Sequence, residues 1–140
     1  MSVLVDDPGR PLLTADRAQV LLVEDEVLVA MIAEDFLSDL GYAAVVAASA
    51  KAAIDLVSNG LEPAFAMVDM GLPDGSGDEL VRSLRGLRPA LRVVIVSGYT
   101  EPEIRARFAS DVAVTILSKP YTAADLTRTV QALALDRLAP

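Results

Sequence analysis

The chain has 140 residues, 53% of them hydrophobic and 23% charged, which allows one globular domain with its own core and excludes a disordered chain. It contains no His and no Cys, so zinc sites of the usual type, Cys nucleophiles and His-based triads are excluded, and chemistry must run on carboxylates, hydroxyls, Lys or Arg. A net charge of −8 argues against binding nucleic-acid phosphates and suits cationic or metal partners.

Residues 1 to 18 contain Pro8, Gly9 and Pro11 without sustained periodicity, and a flexible lead-in is expected there. Its apolar triplet followed by Asp6 and Asp7 runs into those breakers, so no helix can follow. Neither this lead-in nor any later apolar run has the pattern of a leader or a membrane span, and a cytoplasmic protein is expected. From Gln19 the pattern is different. Gln19 to Val23 is an apolar run that ends on Glu24, Asp25 and Glu26, and a helix pattern follows directly. Leu28, Ile32, Phe36 and Leu40 lie four apart along one face of it, and Gly41 supplies a stop. Tyr42 to Ala47 reads as a second strand. Ser49 is placed to cap a helix carrying Ala53, Ile54 and Val57, closed by Asn59-Gly60.

Ala64 to Asp69 reads as a third, buried strand that delivers one carboxylate into a turn rich in Gly and Pro, from Gly71 through Pro73 and Gly75 to Gly77. A helix from about Gly77 to Gly86 is expected to bury Leu80, Leu84 and Leu87, with Pro89 beyond its end. Arg92 to Ser97 is continuous and β-branched, as a strand covered on both faces should be. Gly98-Tyr99-Thr100 leads into a short helix in which Ile104 and Phe108 share a face. Val112 to Leu117 is the fifth strand, ending at Ser118-Lys119-Pro120. Thr122 and Asp125 are spaced as a capping box for a last helix with Leu126, Val130 and Leu133 inward.

Five alternations of strand and helix imply an α/β fold, a doubly wound parallel sheet with helices on both faces. Ligands in such sheets bind outside the carboxyl ends of the strands. Those ends carry Glu24 and Asp25, then Asp69, Ser97 and Lys119. Any one of them alone is ordinary loop chemistry: a cap, a turn former or a solvated charge. Together, three carboxylates, a hydroxyl and an ammonium suit a divalent cation plus an oxyanion, with Mg²⁺ the best fit.

This pattern resembles the receiver domain of two-component response regulators. The resemblance rests on Glu24-Asp25, Asp69, Leu72-Pro73 with Gly77, Ser97 and Lys119-Pro120, in order at successive strand ends, and it spans roughly residues 19 to 135. It implies a flavodoxin-like strand order 2-1-3-4-5 and a receiver domain over 19–137 with no output domain, residues 120–140 leaving room for one helix. It implies that Asp69 is the phosphoacceptor, and that Mg²⁺ is bound by Glu24, Asp25, Asp69 and the backbone carbonyl of Gly71. Lys119 and Ser97 would contact the phosphoryl oxygens, and a cis peptide would precede Pro120. The implied partner is a sensor histidine kinase or histidine phosphotransfer protein, since the chain has no His of its own. Neither nucleic acid nor membrane is an expected partner, and the expected state is a monomer or weak homodimer. The protein would be no enzyme beyond promoting its own phosphorylation and dephosphorylation.

Two positions depart from that pattern. Three residues before Lys119, where most receivers have a Tyr or Phe that rotates on activation, stands Ile116. Tyr99 is the nearest candidate substitute. Ser97-Gly98-Tyr99 is similar to the Thr-Gly-Tyr of a subgroup of single-domain receivers, without that subgroup's preceding Pro-Phe and Ala. The alternative function is a degenerate receiver that binds partners without phosphorylation. A haloacid dehalogenase-type phosphatase fits poorly, because its second Asp would fall at Gly71.

Overall fold

A computed structural model describes residues 17–75, 77–98, 106 and 113–138. Residues 1–16 of the expected lead-in, Tyr99 and the expected short helix with Ile104 and Phe108 lie outside the described residues. The elements are β1 (Gln19–Val23), α1 (Val27–Asp39), β2 (Ala43–Ala47), α2 (Ala50–Ser58), β3 (Phe65–Asp69), α3 (Gly77–Leu87), β4 (Val93–Ser97), β5 (Val114–Ser118) and α4 (Ala123–Leu138). All strand pairs are parallel and the order is β2-β1-β3-β4-β5, so the doubly wound sheet with order 2-1-3-4-5 is the observed fold.

The period of two along each strand divides the core into two layers. Leu21, Val23, Ala66, Val68, Val93 and Ile95 face α2 and α3. Their neighbours Val20, Leu22, Phe65, Met67, Val94 and Val96 face α1 and α4. Every residue of β3 and β4 is buried, as continuous apolar runs in the middle of a parallel sheet require.

The helices show where periodicity succeeds and where it misleads. Ser49 caps α2, its hydroxyl accepting from the Ala52 N–H at 3.1 Å. Thr122 and Asp125 form the expected reciprocal box at the start of α4, at 2.9 and 3.0 Å. Gly41, at φ 93°, ends α1 in a Schellman turn, with Tyr42 N–H bonded to the Leu37 carbonyl and Gly41 N–H to that of Ser38. The row Leu28–Ile32–Phe36–Leu40, however, is not the core face of α1. Residues four apart drift by about 40° per step on a helix of 3.6 residues per turn, so the row winds from solvent at one end to the core flank at the other. Leu28 is 74% and Ile32 54% exposed, Phe36 and Leu40 flank the core, and Ala30, Ala33 and Leu37 make the contact with the sheet. On α3, Leu80 and Leu84 are buried together with Val81, while Leu87, at the helix terminus, stays 44% exposed.

Candidate functional site

The sheet delivers the functional groups to one edge. β1 and β3 are adjacent, and β3 and β4 are adjacent, so the residues leaving them meet at their carboxyl ends. Glu24 follows β1, its N–H bonded to the Ala47 carbonyl at 3.0 Å. Asp69 is the last residue of β3, and the next residue, Met70, donates its N–H to the Val96 carbonyl. Ser97 ends β4 and is 1% exposed. Lys119 follows β5, and its N–H bonds the Ser97 carbonyl at 2.8 Å, which ties the fifth strand's exit to the fourth's. The Lys119–Pro120 peptide is cis.

The charges converge on Asp69, which is 8% exposed. Lys119 Nζ donates to Asp69 Oδ1 at 3.2 Å, and the Gly71 N–H donates to the same oxygen at 3.2 Å. Carboxylate oxygens of Glu24, Asp25 and Asp69 all lie within 4.8 Å of one another. Glu24 is 6% exposed and accepts the Glu26 N–H at 3.1 Å. Burial pushes the Glu24 carboxyl above its ordinary value of 4.5, the Glu26 N–H opposes this, and the nearby charge of Asp69 adds to the rise. Among the described residues, three acids face one ammonium, which leaves them short of positive charge. A hard divalent cation held by carboxylate oxygens and water meets that deficit, and the donor set fits Mg²⁺.

Glu24, Asp25, Asp69 and Lys119 are thus brought together, and Ser97 stands at the adjoining strand end. Gly71 reaches Asp69 through its N–H. Ile116 is half-buried beside Ile95 and packs toward the α2–α3 layer. Two neighbours carried no sequence signal. Tyr121 lies two residues past Lys119 and lines a small cavity with Glu24 and Asp69, its ring edge-on to Phe36 at 6.3 Å between centroids. Asp74, in the turn after β3, bonds the first two amides of α2. Pro73-Asp74-Gly75 is ordinary turn chemistry, and nothing local in it points to a partner 24 residues earlier in the chain.

Comparison with known proteins gives this edge its context. The family model described as the response regulator receiver domain matches residues 20–131. Sensor kinase CckA of Brucella abortus is 34% identical over 115 residues, covering 81% of this chain and 12% of that protein. Photosynthetic apparatus regulatory protein RegA of Rhodobacter capsulatus is 32% identical over 120 residues, covering 86% of this chain and 64% of its own length. The chain therefore spans less than two thirds of either relative. A response regulator receiver protein from Sinorhizobium medicae superimposes with a TM-score of 0.76 at 26% identity, covering 85% of this chain and 95% of the other. Fold, strand-end acids and family match agree, and the chain belongs to the response regulator receiver domains of two-component signalling.

Proposed function

We propose that this receiver domain takes a phosphoryl group onto Asp69 from a phosphohistidine on a partner protein, in a Mg²⁺-dependent reaction, and signals through the resulting change at its strand ends. The observation that carries the proposal is the Asp69 carboxylate, held 3.2 Å from Lys119 Nζ beside Glu24 and Asp25. An Asp that served only as a turn former would not need two further acids and a cation around it.

An Asp69 oxygen attacks phosphorus in line. The phosphorus–nitrogen bond to the donor imidazole breaks, its electron pair returns to the ring nitrogen, and an acyl phosphate forms. Both reactants are anionic, so the barrier is largely electrostatic. Glu24, Asp25, Asp69 and the Gly71 carbonyl would hold Mg²⁺, which would supply positive charge to the transferring phosphoryl oxygens. Lys119 contributes a cation 3.2 Å from Asp69 Oδ1 and follows the phosphoryl group once it is attached. The Ser97 hydroxyl bonds a phosphoryl oxygen. The Lys119 N–H to Ser97 carbonyl bond links these two residues, so movement of either is felt at the exits of β4 and β5. Attack of water on phosphorus releases phosphate and restores Asp69. The protein acts on itself alone and turns over no separate substrate.

The donor histidine lies outside these 140 residues, which contain no His. Val27, Leu28, Met31 and Ile32 form an exposed apolar face at the start of α1, directly after the Glu24–Asp25 pair. A groove of about 500 Å³ runs from Ile32 and Phe36 to Lys119 and Tyr121, joining that face to the site. This is the surface proposed to receive the histidine-bearing partner, in the cytoplasm. Incubation with acetyl phosphate and Mg²⁺, followed by intact-protein mass spectrometry, tests the function. The expected product carries one phosphoryl group, which disappears in Asp69→Asn and on omission of Mg²⁺. An adduct that survives Asp69→Asn overturns the assignment, and wild-type protein without any adduct supports phosphorylation-independent binding instead.

A further inference from the structure

The turn after β3 carries a carboxylate that the phosphotransfer chemistry does not use. Asp74 is exposed, yet both of its oxygens are engaged: Oδ1 accepts from Ala50 N–H at 2.9 Å and Oδ2 from Lys51 N–H at 3.1 Å. These are the first two amides of α2, which have no partner within their own helix. The third, Ala52 N–H, is taken by Ser49. The start of α2 is therefore capped twice, once from its own chain end and once from a loop that lies more than twenty positions further on. The Lys51 ammonium takes no part, since it pairs with Asp55 at 2.9 Å. The two backbone N–H groups hold the Asp74 carboxyl below its ordinary value of 3.8, as expected where they favour its charged form.

We propose that Asp74 is a positioning residue for the metal site: by fastening the β3–α3 turn to α2, it holds Gly71 in place beside Asp69. The turn has four fixed points. Met70 is held by its bond to the Val96 carbonyl. At the far end Gly77 lies against Met70, so closely that a Cβ there would sit 2.6 Å from the Met70 sulfur. Between them, Leu72 is buried among the α2–α3 layer and Asp74 is tied to α2. Gly71, Leu72 and Pro73 span the gap between the strand and the tie. Gly71 is exposed and lacks regular structure, and its N–H reaches Asp69 Oδ1 at the long distance of 3.2 Å. Without the Asp74 tie, ordering Gly71 would be a cost met at each metal-binding event. The inference rests on the proposed Mg²⁺ chemistry and assigns α2 a role in it.

The test compares Asp74→Ala with Ser49→Ala. Both remove a cap from the same helix end, and only the first releases the turn. Mg²⁺ affinity is measured by isothermal titration calorimetry, and exchange of the Gly71 amide by NMR in the metal-free protein. Asp74→Ala is expected to weaken Mg²⁺ binding about 10-fold, and Ser49→Ala by less than about twofold. Gly71 exchange should speed up several-fold in Asp74→Ala alone. Asp74→Asn, which keeps an acceptor but loses the charge, should fall between wild type and Asp74→Ala and covers the case in which the Ala variant fails to fold. Equal effects of the Asp74 and Ser49 variants, or unchanged Mg²⁺ affinity in both, overturn the positioning role while leaving the phosphoacceptor reading intact. Wild-type protein that binds no Mg²⁺ overturns both.

Discussion

Replacing Gly77 by Ala sets a helix-propensity gain against a steric cost, and the structure decides which is larger. Gly77 opens α3, and Ala in place of Gly in a helix is worth about 0.5–1 kcal/mol, with less at the first position. The added Cβ would lie 2.6 Å from the Met70 sulfur, 3.2 Å from Met70 Cα and 3.6 Å from the Asp69 carbonyl oxygen. The sulfur can swing away, but the Cα belongs to the backbone that carries the end of β3. Overpacking of this kind costs about 1–3 kcal/mol, so Gly77→Ala should destabilise the protein by about 1–2 kcal/mol net. Gly86→Ala is the matched control. It lies in the same helix, a Cβ there meets nothing within 4 Å, and the propensity gain should stand alone, stabilising by about 0.5–1 kcal/mol. Urea denaturation followed by far-UV circular dichroism reads both. A Gly77→Ala protein as stable as wild type, or shifted in the same direction as Gly86→Ala, would refute the idea that α3 is packed against the acceptor turn without room to spare.

Three further outcomes follow from the site. Lys119→Ala removes the cation 3.2 Å from Asp69 and should slow phosphorylation by acetyl phosphate about 100-fold without weakening Mg²⁺ binding, as stopped-flow and calorimetric measurements would show; an unchanged rate contradicts the role given to Lys119. Burial first, then the charges of Glu24 and Asp69, raise the Tyr121 phenol above its ordinary value of 10.0. Its folded form thus favours the proton, so the associated stability is complete below pH 10.0 and is lost as pH rises through the higher folded value. Ultraviolet titration against Tyr121→Phe should show this late ionisation, moved part of the way back by Glu24→Gln; an ordinary Tyr121 titration removes the basis for the claim. Leu28→Asp, at a position 74% exposed, should change stability by less than about 0.5 kcal/mol. The same variant should slow transfer from a phosphohistidine donor while leaving the acetyl phosphate reaction unaltered, whereas equal slowing of both places the defect inside the site.

The parts that were legible in the sequence are those governed by local rules. Strand ends carrying Glu24, Asp69, Ser97 and Lys119 follow from apolar runs that stop on polar residues, and the caps at Ser49 and Thr122 from short-range hydrogen bonding. The sheet then brings these ends together without further information, because the order β2-β1-β3-β4-β5 makes β1, β3 and β4 neighbours. What escaped depends on longer-range geometry. The apolar row on α1 was readable, but which side of it meets the sheet was not. Ala30 and Ala33 give close approach to the strands, and they are weaker apolar signals than the exposed Leu28 and Ile32. Asp74 looks like any turn residue until the start of α2 is seen beside it, and Tyr121 becomes part of the site only through the turn that follows Lys119.

Reduction of the phosphorylated protein with borohydride bears most directly on the central claim, because it converts an aspartyl phosphate into homoserine at the residue that carried it. Peptide mass spectrometry after phosphorylation in Mg²⁺ and reduction should find homoserine at position 69 and nowhere else. Homoserine at Asp25 or another acid, or intact Asp69 in protein that has taken up phosphate, would contradict the account.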